Sequence, residues 1–165
     1  MISKIRYYVN ETCLKNLYYS FVQSHINYNL LNWSCIPRNL LDPIEKKVKK
    51  AVRIISFAKT KYDHTTPLFK RHKILPFYEL IKYKKASFLW KMSHGYISSP
   101  VCSIFTRNLH NPYHFVQPRP KNLQEKVLLE YSCVNAWTPV PESLKRTSNL
   151  RNFTVNYKEY LLKNI

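Results

Sequence analysis

Residues 42–57 read DPIEKKVKKAVRIISF, and two opposite chemistries alternate through them with the period of a helix. Ile44, Val48, Ala51, Val52 and Ile55 fall on one side at about 100° per residue; Lys46, Lys49, Lys50 and Arg53 fall on the other. Asp42 is a good N-cap, Pro43 suits the first helical position, and Glu45, three residues after the cap, completes a capping-box pattern. The spacing predicts a helix over 42–57 that docks one face on a core and offers a row of cations on the other. A basic stripe in isolation is ordinarily a solvated surface, so what surrounds it decides how it is read.

The surroundings are unusually basic. The chain has 165 residues, 45% of them hydrophobic, which suffices for a core, and its net charge is +18. That charge is uneven: residues 1–45 carry +1, residues 46–91 carry +12 and residues 92–165 carry +5. A field of this size favours a polyanion, nucleic acid first and an anionic membrane second. Thirteen tyrosines add rings that pack while keeping a polar tip. No run of about 18 apolar residues exists to cross a membrane, and MISKIRYYVNET lacks the apolar core of a secretory leader. Cys13, Cys35, Cys102 and Cys133 are scattered without a CxxC pair, which points to reduced, buried thiols and an intracellular chain, nuclear or cytoplasmic. The single glycine, Gly95, excludes every glycine-rich phosphate loop.

Along the chain the fold class reads as mainly α: a small helical bundle, an irregular Pro-rich connection and a C-terminal helix, with room for one short strand pair. Ile2 to Val9 has the spacing of a helix end, which leads us to expect a part upstream. Asn10 or Thr12 can cap a helix over 11–27 with Leu14, Leu17, Tyr18, Phe21, Val22, His25 and Ile26 on one face, His25 as a core or half-buried residue. Thr66-Pro67 opens a short helix to about Lys73, and Pro76 opens another to about Met92. In this second helix Leu80, Ile81, Phe88 and Met92 share a face, while Lys82, Lys84, Lys85 and Lys91 occupy the remainder. Residues 1–95 are thus expected to form the bundle and 96–122 an irregular linker. Residues 123–165 form a small segment in which Val127 to Tyr131 reads as a strand and Ser148 caps a last helix.

The order of these landmarks resembles the C-terminal region of non-LTR (LINE-type, jockey-like) retrotransposon reverse transcriptases. The resemblance runs through ISKIRYYV, LKNLYYSFVQSHINYNLLNW with its His25-x-x-Tyr28 pair and Trp33, and IEKKVKKAVRIISFA. It continues through HTTPLFKRHKIL and VNAWTPVPESLKRTSNLRNF. Each motif is weak by itself; their shared order is the specific signal. The family implies a thumb, a helical bundle that grips the backbone of a template–primer duplex without reading its bases, plus a segment after it. It also implies a palm domain as neighbour. The sequence departs from the family where Asn29 and Ser34 stand for glycines, and where Tyr113-His114-Phe115-Val116 replaces a string ending in arginine.

Chemistry in the chain itself is sparse. Nucleotide transfer by two metal ions needs clustered carboxylates, yet the only aspartates are Asp42 and Asp63, far apart, and seven glutamates are scattered. A chain without that cluster is no enzyme by itself, and no cofactor or metal is expected. Cys102, His110 and His114 are three candidate ligands with no fourth nearby, too few for a zinc site. His64 beside Asp63 reads as a loop anchor. Trp137 is expected in the core, with Trp33 and Trp90 able either to pack or to stack on bases. The expected reading is a non-catalytic reverse-transcriptase fragment that binds RNA–DNA or another duplex through Lys46, Lys49, Lys50, Arg53, Lys82, Lys84 and Lys85. The alternatives are an inactive remnant or structural module, and last a membrane-surface helix.

Overall fold

A computed structural model describes residues 2–58, 63–97, 100–109, 111–122, 125 and 128–165. The structure is mainly helical: α1 (Ile2–Ile5), α2 (Glu11–Leu17), α3 (Ser24–Asn27), α4 (Leu30–Trp33), α5 (Arg38–Ile55) and α6 (Thr66–His72) come first. They are followed by α7 (Phe77–Ser93), α8 (Leu129–Trp137), α9 (Glu142–Lys145) and α10 (Leu150–Lys163). A π-helical turn, Tyr18–Gln23, joins α2 to α3, so the expected helix over 11–27 exists in three pieces. Asn10 caps it by accepting from the Cys13 N–H at 2.9 Å. His25 lies exposed rather than half-buried, a correction that follows from the extra residue per turn in the π segment, which shifts the faces beyond it.

The helix read first is longer than its local signals. α5 starts at Arg38, with Pro37 at its N-cap, and Pro43 sits inside it. The missing Pro43 N–H is tolerated because Asn39 and Pro43 are both exposed, so the Asn39 carbonyl that would have received it can turn to water. Asp42 is therefore not a cap. Its carboxylate accepts from the Tyr78 hydroxyl of α7, a tertiary contact that won over the local capping signal. Glu45 likewise turns to Lys49 (2.8 Å) and not to a cap N–H. The expected apolar face holds: Val48, Ala51, Val52 and Ile55 are buried, and Leu41 extends it.

α7 is the helix the others surround. Its apolar residues are not confined to a stripe, and Phe77, Leu80, Ile81, Ala86, Leu89, Trp90 and Met92 are all buried. α4 and α5 lie against it from the N-terminal half, α8 and α10 from the C-terminal half. Aromatic rings link these layers: Trp33 stacks on Phe77 (5.9 Å between centroids), and Phe153 of α10 stacks on Trp90 (5.6 Å) and meets Trp137 (6.1 Å). All three tryptophans thus pack in the protein, and Trp90 and Trp137 are fully buried.

Two expectations for the second half are corrected. The stretch expected as a strand is the start of α8 over its described residues, because Cys133, Val134 and Trp137 bury on one helical face against α7; Val127 lies outside the described residues. The cap of α10 is Asn149, which accepts from the Arg151 N–H at 2.8 Å, one residue after Ser148. Apart from a 3-10 helix over Pro100–Ile104, the described residues of 96–122 are irregular, and their one described β pairing is an antiparallel bridge between Arg107 and Phe115. It is nevertheless fastened down. Phe105 and Phe115 are buried, Arg107 donates to the Met92 carbonyl (2.7 Å), and the Trp137 indole donates to the Tyr113 carbonyl (2.8 Å). Buried side chains from all three expected stretches form one core.

Helix ends show how a chain with one glycine stops its helices. α5, α6 and α7 each close with a paired 6→1 and 5→2 hydrogen bond: Ala58 N–H to Arg53 and Phe57 to Ile54, Ile74 to Phe69 and Lys73 to Lys70, Tyr96 to Lys91 and Gly95 to Met92. This motif needs a left-handed residue, and the three are Phe57 (φ 52°), Lys73 (φ 54°) and Gly95 (φ 76°). Only the last is conformationally cheap. Gly95→Ala should therefore lower unfolding free energy by about 1 kcal/mol, since a Cβ there meets nothing within 4 Å and only the backbone resists it. Lys73→Gly should raise it by about 0.5–1 kcal/mol. Urea unfolding of both variants checks the pair, and a sign reversal in either rejects this account.

Candidate nucleic-acid interface

The buried face of α5 fixes which of its cations reach water. Lys46 and Lys50 are exposed one turn apart, and Lys47, between them in sequence, is exposed beside them. No hydrogen bond or ion pair among the described residues holds these three. Lys49 is engaged by Glu45, and Arg53 donates its Nε–H to the backbone carbonyl of Asp63 (3.1 Å), which fastens the segment leading into α6. The open cationic face of α5 is therefore Lys46, Lys47 and Lys50. Lys49 and Arg53 stand at its edge with prior partners.

The α7 members of the expected patch do not join it as a group. Lys82 is exposed and paired with Glu79 (2.7 Å). Lys84 is half-buried; burial, together with the nearby ammonium of Lys91, lowers its pKa. Lys85 must be corrected. It is only 3% exposed, and its ammonium donates to the Ser34 carbonyl (3.3 Å) and to the Ser132 hydroxyl. The reason is architectural: α8 covers the side of α7 that would have faced water had α7 been an outer helix of the bundle.

A second basic cluster was not legible in the sequence, because its members lie far apart along the chain. Lys15 of α2, Lys73 at the end of α6 and Lys158 of α10 converge, and burial plus these two neighbours lowers the Lys158 pKa. Lys70, Lys73 and Lys163 line an adjoining depression of about 420 Å³ in which Glu159 is the one carboxylate. The available signal was the run Lys70-Arg71-His72-Lys73 closing α6. Arg71 is paired with Glu11 of α2 (2.9 Å), so this cluster sits on a fastened α2–α6 junction.

Among the described residues no group of three or more His, Cys, Asp or Glu side chains is placed to hold a metal ion. His110 of the weak Cys102–His110–His114 trio lies outside the described residues, while His114 bonds Glu142 (2.7 Å). The carboxyl of Glu142 is held below the usual range, first by its bond from Lys145. The four cysteines carry free thiols. Cys133 is buried, and burial pushes its thiol up to about 12. Among the described residues no helix is long and apolar enough to cross a membrane. No protein-family model, curated protein or solved structure matches the chain.

His72 joins this junction to the core. Its ring is buried, with Nε2 2.7 Å from the Ser56 hydroxyl and Nδ1 3.4 Å from Glu11. Burial lowers its pKa below the ordinary 6.5; Glu11 opposes this, and Arg71 and Lys15 reinforce it. The folded state thus prefers the neutral ring. Its contribution to stability is complete above the unfolded value and is lost as pH falls from there toward the lower folded value. The urea midpoint should fall as pH drops through the ordinary histidine value of 6.5, with a slope for this one proton of at most about 1.4 kcal/mol per pH unit. In His72→Gln the fall should be shallower. Equal slopes for the two proteins would remove His72 from this role.

Proposed function

We propose that this chain is a non-catalytic, nucleic-acid-gripping module that holds the phosphate backbone of a duplex without sequence preference. The observation that carries the proposal is the open lysine face of α5, Lys46, Lys47 and Lys50, set on a helix whose opposite face is locked into the core. Point cations on a rigid support hold phosphates and register but read no bases. The half-desolvated Lys84 and the Lys15–Lys73–Lys158 cluster supply further cations with few carboxylates near them.

The resemblance to the thumb region of LINE-type reverse transcriptases supports an RNA–DNA duplex as the partner and a palm domain as the neighbour. One backbone feature agrees with it. Asn29, standing where that family carries glycine, has φ 49°, the left-handed conformation that glycine supplies. At Ser34, the other substituted glycine, φ is an ordinary −75°. A partner of this class would place the chain's work in the nucleus or cytoplasm.

Tyr7 and Tyr8 are 78% and 87% exposed, and Phe21 is more than half exposed, which favours a second reading: a structural module whose aromatic edge docks on another domain. The two readings part under mutation. Affinity for an RNA–DNA duplex should fall with salt at a log–log slope of about −0.9 per phosphate contacted. Lys46→Glu, Lys47→Glu and Lys50→Glu together should reduce that slope by roughly two or more while leaving the helical circular dichroism unchanged. A flat salt response, or a triple variant that binds like the parent, overturns the backbone-gripping proposal. Replacing Tyr7, Tyr8 and Phe21 by Ser should leave duplex affinity intact.

A further inference from the structure

Lys85 poses a problem that the backbone-gripping face does not solve. A buried ammonium is costly unless a carboxylate or a full set of acceptors compensates it. Lys85 has two neutral acceptors, the Ser34 carbonyl and the Ser132 hydroxyl, and no ion pair among the described residues. It lies in the wall of a cavity of about 490 Å³ between the start of α5, the first half of α7 and α8. Arg38, Lys82, Ser132 and Asn135 line the same cavity.

The donors there outnumber the acceptors. The Ser132 oxygen already accepts from Lys85, so its own O–H remains to donate into the cavity. Arg38 is exposed, its guanidinium lies over the Tyr78 ring (4.5 Å to the centroid), and among the described residues no carboxylate pairs with its N–H fork. Arg38 also opens an 18-residue helix whose N-cap, Pro37, offers no side-chain cap, so the positive end of that helix borders the cavity. The opposing charges are accounted for. Glu79, the one carboxylate in the lining, is neutralised by Lys82, and Asp42 nearby accepts from Tyr78.

We propose that this cavity is an anion site for a phosphoryl group, with Lys85 and Ser132 as its floor and Arg38 at its mouth. The group can belong to a free phosphate or nucleotide, or to the phosphorylated end of a nucleic acid. The site is separate from the open lysine face of α5 and does not rest on it.

The test is thermal unfolding of the full chain in sodium phosphate against sodium chloride at matched ionic strength. Phosphate should raise the midpoint saturably. Lys85→Met, which keeps the shape and removes the buried charge, should fold and weaken the apparent affinity for phosphate roughly tenfold or more. The triple α5 charge reversal should leave it unchanged, which separates failure of this site from failure of the duplex face. If Lys85→Met does not fold, Ser132→Ala takes its place, with loss of affinity again expected. A 5′-phosphorylated oligonucleotide and its unphosphorylated twin then distinguish the source: competition by the first alone assigns a nucleic-acid end, and competition by neither assigns a free phosphate. Equal stabilisation of parent and variant, or none in the parent beyond that of chloride, overturns the proposal.

Discussion

The sheathing of α7 is the constraint from which the rest of the structure follows. A helix with apolar side chains all round is stable in water only if it is enclosed, and here no single neighbour can enclose it. α5 covers one side with Val48, Val52 and Ile55, and α8 and α10 cover the other with Cys133, Val134, Phe153 and Tyr157. Fully burying each large side chain contributes about 1.5–3 kcal/mol, so removing either cover would expose more apolar surface than a domain of this size can lose. The chain therefore folds around α7 as one core, and the irregular stretch between α7 and α8 is drawn in by Phe105, Phe115 and the Trp137–Tyr113 hydrogen bond.

That constraint also explains which parts of the fold were legible. The apolar face of α5 and the extents of α6 and α7 were read closely, because each depends on periodicity and turn chemistry within a few residues. The start of α8 was misread, since the short apolar run Val127-Leu128-Leu129 fits either a strand or a buried helix, and only the long-range contact with α7 decides between them. Asp42 failed as a cap for a related reason: a carboxylate near a helix start has a local use, but the Tyr78 hydroxyl, 36 residues away, offered a better one.

The candidate interface divides along the same line. Lys46 and Lys50 were legible because the apolar face of α5 dictates what its back must show. Lys85 was not, because a lysine on a helix defaults to solvent until the covering helix is known. Lys15, Lys73 and Lys158 were beyond any local reading, as they meet only after α2, α6 and α10 are assembled. Charge counts along the chain located the basic region and left open how its cations divide between surface, edge and interior.

The division matters for energetics. Nine acids face twenty-seven lysines and arginines, and several of those acids are already engaged: Glu45 by Lys49, Glu79 by Lys82, Glu11 by Arg71 and His72, and Glu142 by Lys145 and His114. Surface pairs such as Lys82–Glu79 and Arg71–Glu11 contribute little to stability, and nine acids leave most of the positive charge without compensation. Self-repulsion of that excess weakens the compact state, and it concentrates where cations are partly desolvated, at Lys84 beside Lys91 and at Lys158 beside Lys15 and Lys73. A polyanion laid across such places removes repulsion as well as adding attraction. A ligand that binds only the folded state stabilises it by mass action, so under the proposed function binding and folding would be coupled through the same charges. The core around α7 holds the helices together, and with so much uncompensated charge on their outer faces an anionic partner, if the proposed function holds, would be a source of stability as well as a target.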